Sequence, residues 1–198
     1  MCQSQDVVNI RNIGCQSRVD VCEHFAKYKH ILLEKLVSES LASKFLMETR
    51  TAPSRRVICG AGEVNWQEHR ISSASLMYRF FCSEPIINIL NVCLDKHIAI
   101  EHIQCWASVY GLGEYINRHK DGCGDIQLIL SLKAATAENG GWLNLEWRGE
   151  TRHVFLETGD ALCFLATEVE HFTDPLVPTN DLPTPERVTA VARYFLGS

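Results

Sequence analysis

Residues 110–121 read Tyr-Gly-Leu-Gly-Glu-Tyr-Ile-Asn-Arg-His-Lys-Asp. A β-rich run from Ile98 to Tyr110 leads in, two glycines turn the chain, and the stretch closes on His119-Lys120-Asp121. In a strand, positions i and i+2 point to one face, so an imidazole nitrogen and a carboxylate oxygen converge on one ion. Alone the pair is weak. Eight histidines and eight aspartates in 198 residues give about 0.3 such pairs by chance, and an isolated pair reads as an exposed hairpin end. The pair gains weight from His171, some fifty residues on, and Arg187 beyond it. Two imidazoles and one carboxylate occupy one face of a ferrous ion and leave open positions for reactants.

Outward from this stretch, the C-terminal half alternates in short periods. Ile126–Leu132 is an apolar strand, and Gly140-Gly141 turns into the alternating Trp142–Trp147. Thr151–Leu156 is short, Thr158-Gly159-Asp160 is a turn before Ala161–Ala166, and Arg187–Leu196 closes the chain as a strand. The N-terminal half reads mostly helical. Val19–Leu36 carries apolar residues at helical spacing, and Ser38–Met47 continues as a second helix. Thr51–Ile71 is irregular, with Pro53, Gly60 and Gly62 as breakers. Pro85–Leu94 is helical, with Ser83 as its cap. The expected fold class is α+β, mainly β: a double-sheet core with the N-terminal helices on one sheet. We expect one domain over 1–198, with 1–96 as helical support and 97–198 as the core.

The ordered series Tyr110-x-x-Gly113, His119-x-Asp121, Gly140-Gly141-x-Leu143, Gly159-Asp160, His171 and Arg187 resembles the Fe(II)/2-oxoglutarate-dependent oxygenases, and prolyl-hydroxylase-like members most. It covers about Trp106 to Tyr194. The resemblance implies a double-stranded β-helix (jelly-roll) core. It implies His119, Asp121 and His171 as ligands of Fe(II), with 2-oxoglutarate and O2 as co-reactants. His153 is a rival third ligand, but no Gly-Asp strand precedes it. Arg187 and Thr189 share one face of the last strand, a guanidinium and a hydroxyl suited to a carboxylate. The resemblance gives them, with Tyr110, the far end of 2-oxoglutarate. Arg193, six residues past Arg187, resembles the second arginine of AlkB-type demethylases, which supports the keto-acid end. The long gap between His171 and Arg187 holds Pro175, Pro178, Pro183 and Pro185, and suggests an ordered loop near the site.

The implied reaction is oxidation of a substrate C–H bond, usually hydroxylation, with release of succinate and CO2. Glu114, Tyr115, Asn117 and Arg118 are candidate substrate contacts, as is Trp142, although aromatics at strand spacing also serve as core. A net charge of −5 and no dense Lys/Arg run argue against nucleic acid and anionic membranes. A small molecule such as an amino acid or secondary metabolite is the expected substrate. A protein side chain, a methylated nucleic acid, or a non-catalytic metal-binding interaction module are the alternatives. Nine cysteines without a CxxC pair read as free thiols in a cytoplasmic setting, Cys105 and Cys163 as core. Met1–Gly14 lacks an apolar signal core, and no run is long enough to span a membrane. A monomer or homodimer is expected.

Overall fold

The computed structural model describes residues 18–59 and 64–197. The stretch Met1–Gly14 lies outside them. Helices α1 (Arg18–Tyr28), α2 (Glu39–Thr51), α3 (Leu76–Phe81) and α4 (Glu84–Leu94) alternate with strands β1 (His30–Leu33), β2 (Ser54–Cys59) and β3 (Val64–Arg70). Strands β4 (Ile100–Tyr110), β5 (Ile126–Lys133), β6 (Leu143–Trp147), β7 (Glu150–Val154), β8 (Ala161–Leu165), β9 (Glu170–Thr173) and β10 (Arg187–Leu196) follow.

Capping chemistry sets the helices. The Ser38 hydroxyl accepts from Leu41 N at 3.2 Å to start α2, and Ser75 does the same for Tyr78 N at 2.9 Å in α3. Each satisfies an amide that the first turn leaves free. The Glu48 carboxylate, from α2, accepts from Leu76 N and Met77 N at 2.7 and 2.9 Å, tying α3 to its neighbour. Ser83 and Pro85 start α4 as expected, although the Ser83 side chain makes no cap hydrogen bond.

Two expectations are corrected. The helix over Val19–Leu36 stops at Tyr28, because Lys29 takes a left-handed φ of 62° and its amide closes on Phe25 O at 2.8 Å. His30–Leu33 then runs extended and pairs with β8. The region Thr51–Ile71 is a hairpin of β2 and β3, with Ser54 opposite His69 and Val57 opposite Trp66. Its breakers Gly60 and Gly62 fall between the strands, outside the described residues. The N-terminal half is thus rich in helix but also completes the main sheet.

That sheet has seven strands in the order β1-β8-β5-β10-β4-β3-β2, and a second has three, β7-β6-β9. The strand pairs are antiparallel. β10 shows the layering, because its faces alternate. Val188, Ala190, Ala192 and Tyr194 join Phe25, Phe45, Phe81 and Leu90 of the helices in the main core. Burying each such large side chain is worth roughly 1.5–3 kcal/mol. Val191, on the opposite face, packs with Leu143 and Leu145 of the small sheet and with Phe164 of β8. Burial pushes the Cys105 thiol up to about 12, so it behaves as a small apolar group, and Cys163 is buried too. No helix among the described residues is long and apolar enough to cross a membrane.

Candidate metal centre

The space between the two sheets opens into a cleft of about 1050 Å³. His119 reaches it from an extended loop rather than from a strand, which corrects the sequence reading. The loop is pinned to β9 by paired backbone bonds, His119 N to His171 O at 3.0 Å and His171 N to His119 O at 2.8 Å. Asp121 N donates to Ala166 O at 3.2 Å. The extended backbone still carries both side chains into the cleft, and the bridge sets the imidazoles together, with ring centroids 4.3 Å apart.

Each ring is oriented by the carbonyl two residues before it. His119 Nδ1 faces Asn117 O at 2.7 Å, and His171 Nδ1 faces Val169 O at 3.2 Å. A carbonyl only accepts, so Nδ1 carries the hydrogen and each Nε2 keeps its lone pair. The Nε2 of His119 lies 3.9 Å from Asp121 Oδ1, and that of His171 lies 3.9 Å from Oδ2. One ligand atom from each of the three residues falls within 4.8 Å of the others.

Asp121 Oδ2 is buried and has no hydrogen-bond partner. An unanswered carboxylate oxygen in the interior is costly, and a cation between it and two imidazole lone pairs removes the cost. Burial raises the Asp121 carboxyl above its usual range, while Arg193 and His119 pull it down. Burial, aided by the neighbouring His119 and Arg193, pushes His171 down to about 3. His171 is therefore neutral, as a metal ligand must be. The donor set fits a divalent transition metal.

Arg193 is committed to this centre. One nitrogen bonds Asp121 Oδ1, and Nε and Nη2 donate to Gln127 Oε1 at 3.0 and 2.9 Å. Its guanidinium carbon lies 5.1 Å from the Trp106 ring centroid. The resemblance gives Arg193 the keto-acid end; in the structure its hydrogen bonds go to Asp121, Gln127 and Cys123 Sγ, the last at 3.6 Å. Gly124 makes room for it. That residue has φ +82°, and a Cβ there would meet Arg193 Cγ at 2.5 Å.

Arg187 stands at the other end of β10 and differs. Nη1 donates to Gly141 O at 2.6 Å, the guanidinium sits 4.4 Å from the Tyr110 ring centroid, and Nε is buried without a partner. Among the described residues no carboxylate forms an ion pair with it. Its neighbour Glu186 turns away to Arg50 and to Lys133, the latter at 3.0 Å. Burial lowers the Arg187 proton affinity and raises that of Tyr110. Thr189 lines the same cleft.

The other sequence candidates fall outside. The side chains of Tyr115, Asn117, Arg118 and Trp142 do not line the cleft. Arg118 bonds Glu146 and lies 4.7 Å from the Phe172 ring centroid. Trp142 Nε1 donates to Ala137 O at 3.1 Å, and Asn117 serves through its carbonyl. His153 bonds Asn144 and joins no cluster of ligands among the described residues. The proline-rich loop places Leu176 in a small apolar cluster with Trp66 and Tyr110. Trp66, which the sequence reading missed, stacks on Tyr110 with ring centroids 6.3 Å apart. It reaches the cleft only through the pairing of β3 with β4, and its one local signal is an aromatic between polar residues.

The chain matches no protein-family model and no curated protein by sequence. Its fold is shared with solved structures. A Pseudomonas putida prolyl-4-hydroxylase is 16% identical, with a TM-score of 0.73 over 91% of this chain and 100% of that one. An oxidoreductase of the 2OG-Fe(II) oxygenase family from Burkholderia pseudomallei is 12% identical, with a TM-score of 0.75 over 90% and 91%. A Trichoplax adhaerens prolyl hydroxylase, in complex with a hypoxia-inducible-factor peptide fragment, is 13% identical, with a TM-score of 0.74 over 98% and 96%.

Proposed function

We propose that this chain is an Fe(II)- and 2-oxoglutarate-dependent dioxygenase on a double-stranded β-helix core, acting as one domain. The observation that carries the reading is the pairing, in one cleft, of an orphaned Asp121 oxygen between two imidazole lone pairs with the guanidinium of Arg187, which no carboxylate ion-pairs among the described residues. The first fits a metal ion. The second fits the far carboxylate of a keto diacid.

His119, Asp121 and His171 would hold the iron. Their backbone bridge, and the carbonyls behind each Nδ1, fix the ligand geometry before the metal arrives. Arg193 orients Asp121 so that Oδ2 is left for the ion. Arg187 would hold the distal carboxylate of 2-oxoglutarate, with the Thr189 hydroxyl and the Tyr110 phenol beside it. When bound, iron, 2-oxoglutarate and O2 supply oxidation of a substrate C–H bond, with release of succinate and CO2. Leu143, Val191 and Ile129 line that space with apolar side chains on the sheet side and would help to exclude water there. We read the substrate as a small molecule and the outcome as hydroxylation in a cytoplasmic setting. The second reading is a protein side chain, favoured by the peptide complex of the Trichoplax neighbour.

Purified protein with Fe(II), 2-oxoglutarate and oxygen should form succinate slowly without added substrate, and His119→Ala should abolish it. Turnover that runs on Zn(II) and ignores both 2-oxoglutarate and oxygen would assign the same three ligands to a hydrolase instead.

A further inference from the structure

The cleft is lined by four guanidinium groups, Arg55, Arg70, Arg187 and Arg193, against two carboxylates, Glu68 and Asp121. The chain carries −5 overall, yet this one concavity has an excess of positive charge, and a cleft focuses such a field on entering anions. Arg55 pairs with Glu68 at 2.7 Å. Arg193 pairs with Asp121. Arg187 and Arg70 have no acid within ion-pair distance among the described residues. In the oxygenase reading, on which this inference rests, the co-reactant's far carboxylate answers Arg187. Arg70 is left over.

Its position gives the leftover charge a use. Trp66, Glu68 and Arg70 alternate onto one face of β3, and all three line the cleft. Arg70 sits opposite Trp106 in the β3–β4 register. The Trp106 ring lies 5.1 Å from Arg193, which holds Asp121. Arg70 therefore belongs to the metal end of the cleft. Arg187 sits opposite Tyr110, roughly 13 Å further along β4 at about 3.3 Å per residue. Of the two, Arg187 is the one that shares its strand face with Thr189 and lies against the Tyr110 ring.

We propose that the substrate carries an anionic group, a carboxylate or an equivalent oxyanion, and that Arg70 receives it across the Trp106 indole while the reactive carbon faces His119, Asp121 and His171. Arg70 is then a specificity-determining residue. Its planar fork pairs with a carboxylate through two hydrogen bonds. The matched neutral amide cannot replace those charged bonds.

The test is a panel of small carboxylic acids (N-acetyl amino acids and arylalkanoic acids) beside their primary amides. Two readouts are taken: stimulation of succinate release, and the shift in Tm of anaerobic, Mn(II)-loaded protein with 2-oxoglutarate. Stimulating acids should outperform their amides at least about tenfold in kcat/KM. Arg70→Gln should erase that preference and Arg70→Lys should restore part of it. Arg70 is exposed, so both variants should fold, which circular dichroism checks. Amides as effective as acids, an unchanged preference in Arg70→Gln, or no acid in the panel acting above its amide in either readout would overturn the proposal. Absence of succinate from the wild type would instead sink the oxygenase reading, and the Tm shifts, repeated without metal, would still decide Arg70.

Discussion

Arg187 and Arg193 lie six residues apart on one face of β10, and their surroundings are opposites. Arg193 has an acid, an amide oxygen and an aromatic face around it. Arg187 has a carbonyl and a phenol ring, and no acid within ion-pair distance among the described residues. A paired buried arginine has its interactions complete within the fold, so it positions something. An unpaired one carries a desolvated charge that only a ligand can answer. The same contrast separates Asp121 Oδ1, which is bonded, from Oδ2, which is not.

The contrast can be tested from its strong end. Arg187→Gln removes a charged anchor worth about 1.5–3 kcal/mol, so 2-oxoglutarate should bind roughly 10–100-fold more weakly. Metal affinity, measured by equilibrium dialysis, should not change. Arg193→Gln should do the reverse when 2-oxoglutarate binding is measured at saturating metal. Loss of a residue that orients a ligand costs about 10–100-fold in metal affinity. If both variants weakened metal and co-reactant alike, the division of roles between the arginines would fail. Gly124→Ala combines a left-handed φ with a Cβ 2.5 Å from Arg193 Cγ. It should cost about 1–3 kcal/mol of stability and weaken metal binding in the same sense as Arg193→Gln. Ser38→Ala, at the α2 cap far along the chain, should cost about 1 kcal/mol in denaturant unfolding and leave both affinities alone.

Local chemistry was legible in the sequence, and pairing was not. His119, Asp121, His171 and Arg187 stand out by residue type and order, and the double sheet follows from short alternating runs with glycine turns. The Ser83-Pro85 start of α4 was readable from its cap residues, and the second helix from its apolar spacing. The early end of α1 was not, because His30–Leu33 becomes a strand only when the edge of β8 accepts it. The β2–β3 hairpin looked irregular for a related reason: β4 gives it a partner, and with it come Trp66 and Arg70. The partner of Arg193 is an aspartate 72 residues away, and no local pattern records such a distance. The same limit explains the substrate candidates. Tyr115, Asn117 and Arg118 are close to the metal pair in sequence, yet none of them lines the cleft.

Anaerobic titration of metal-free protein with Fe(II), in wild type and in Asp121→Ala, with 2-oxoglutarate binding measured by calorimetry at each end point, bears most directly on the centre itself. The wild type should take up one equivalent of iron per chain and bind 2-oxoglutarate tightly only once loaded. Asp121→Ala, folded by circular dichroism, should lose both. Equal iron uptake by the variant, or 2-oxoglutarate binding that ignores the metal, would contradict a site built from His119, Asp121 and His171.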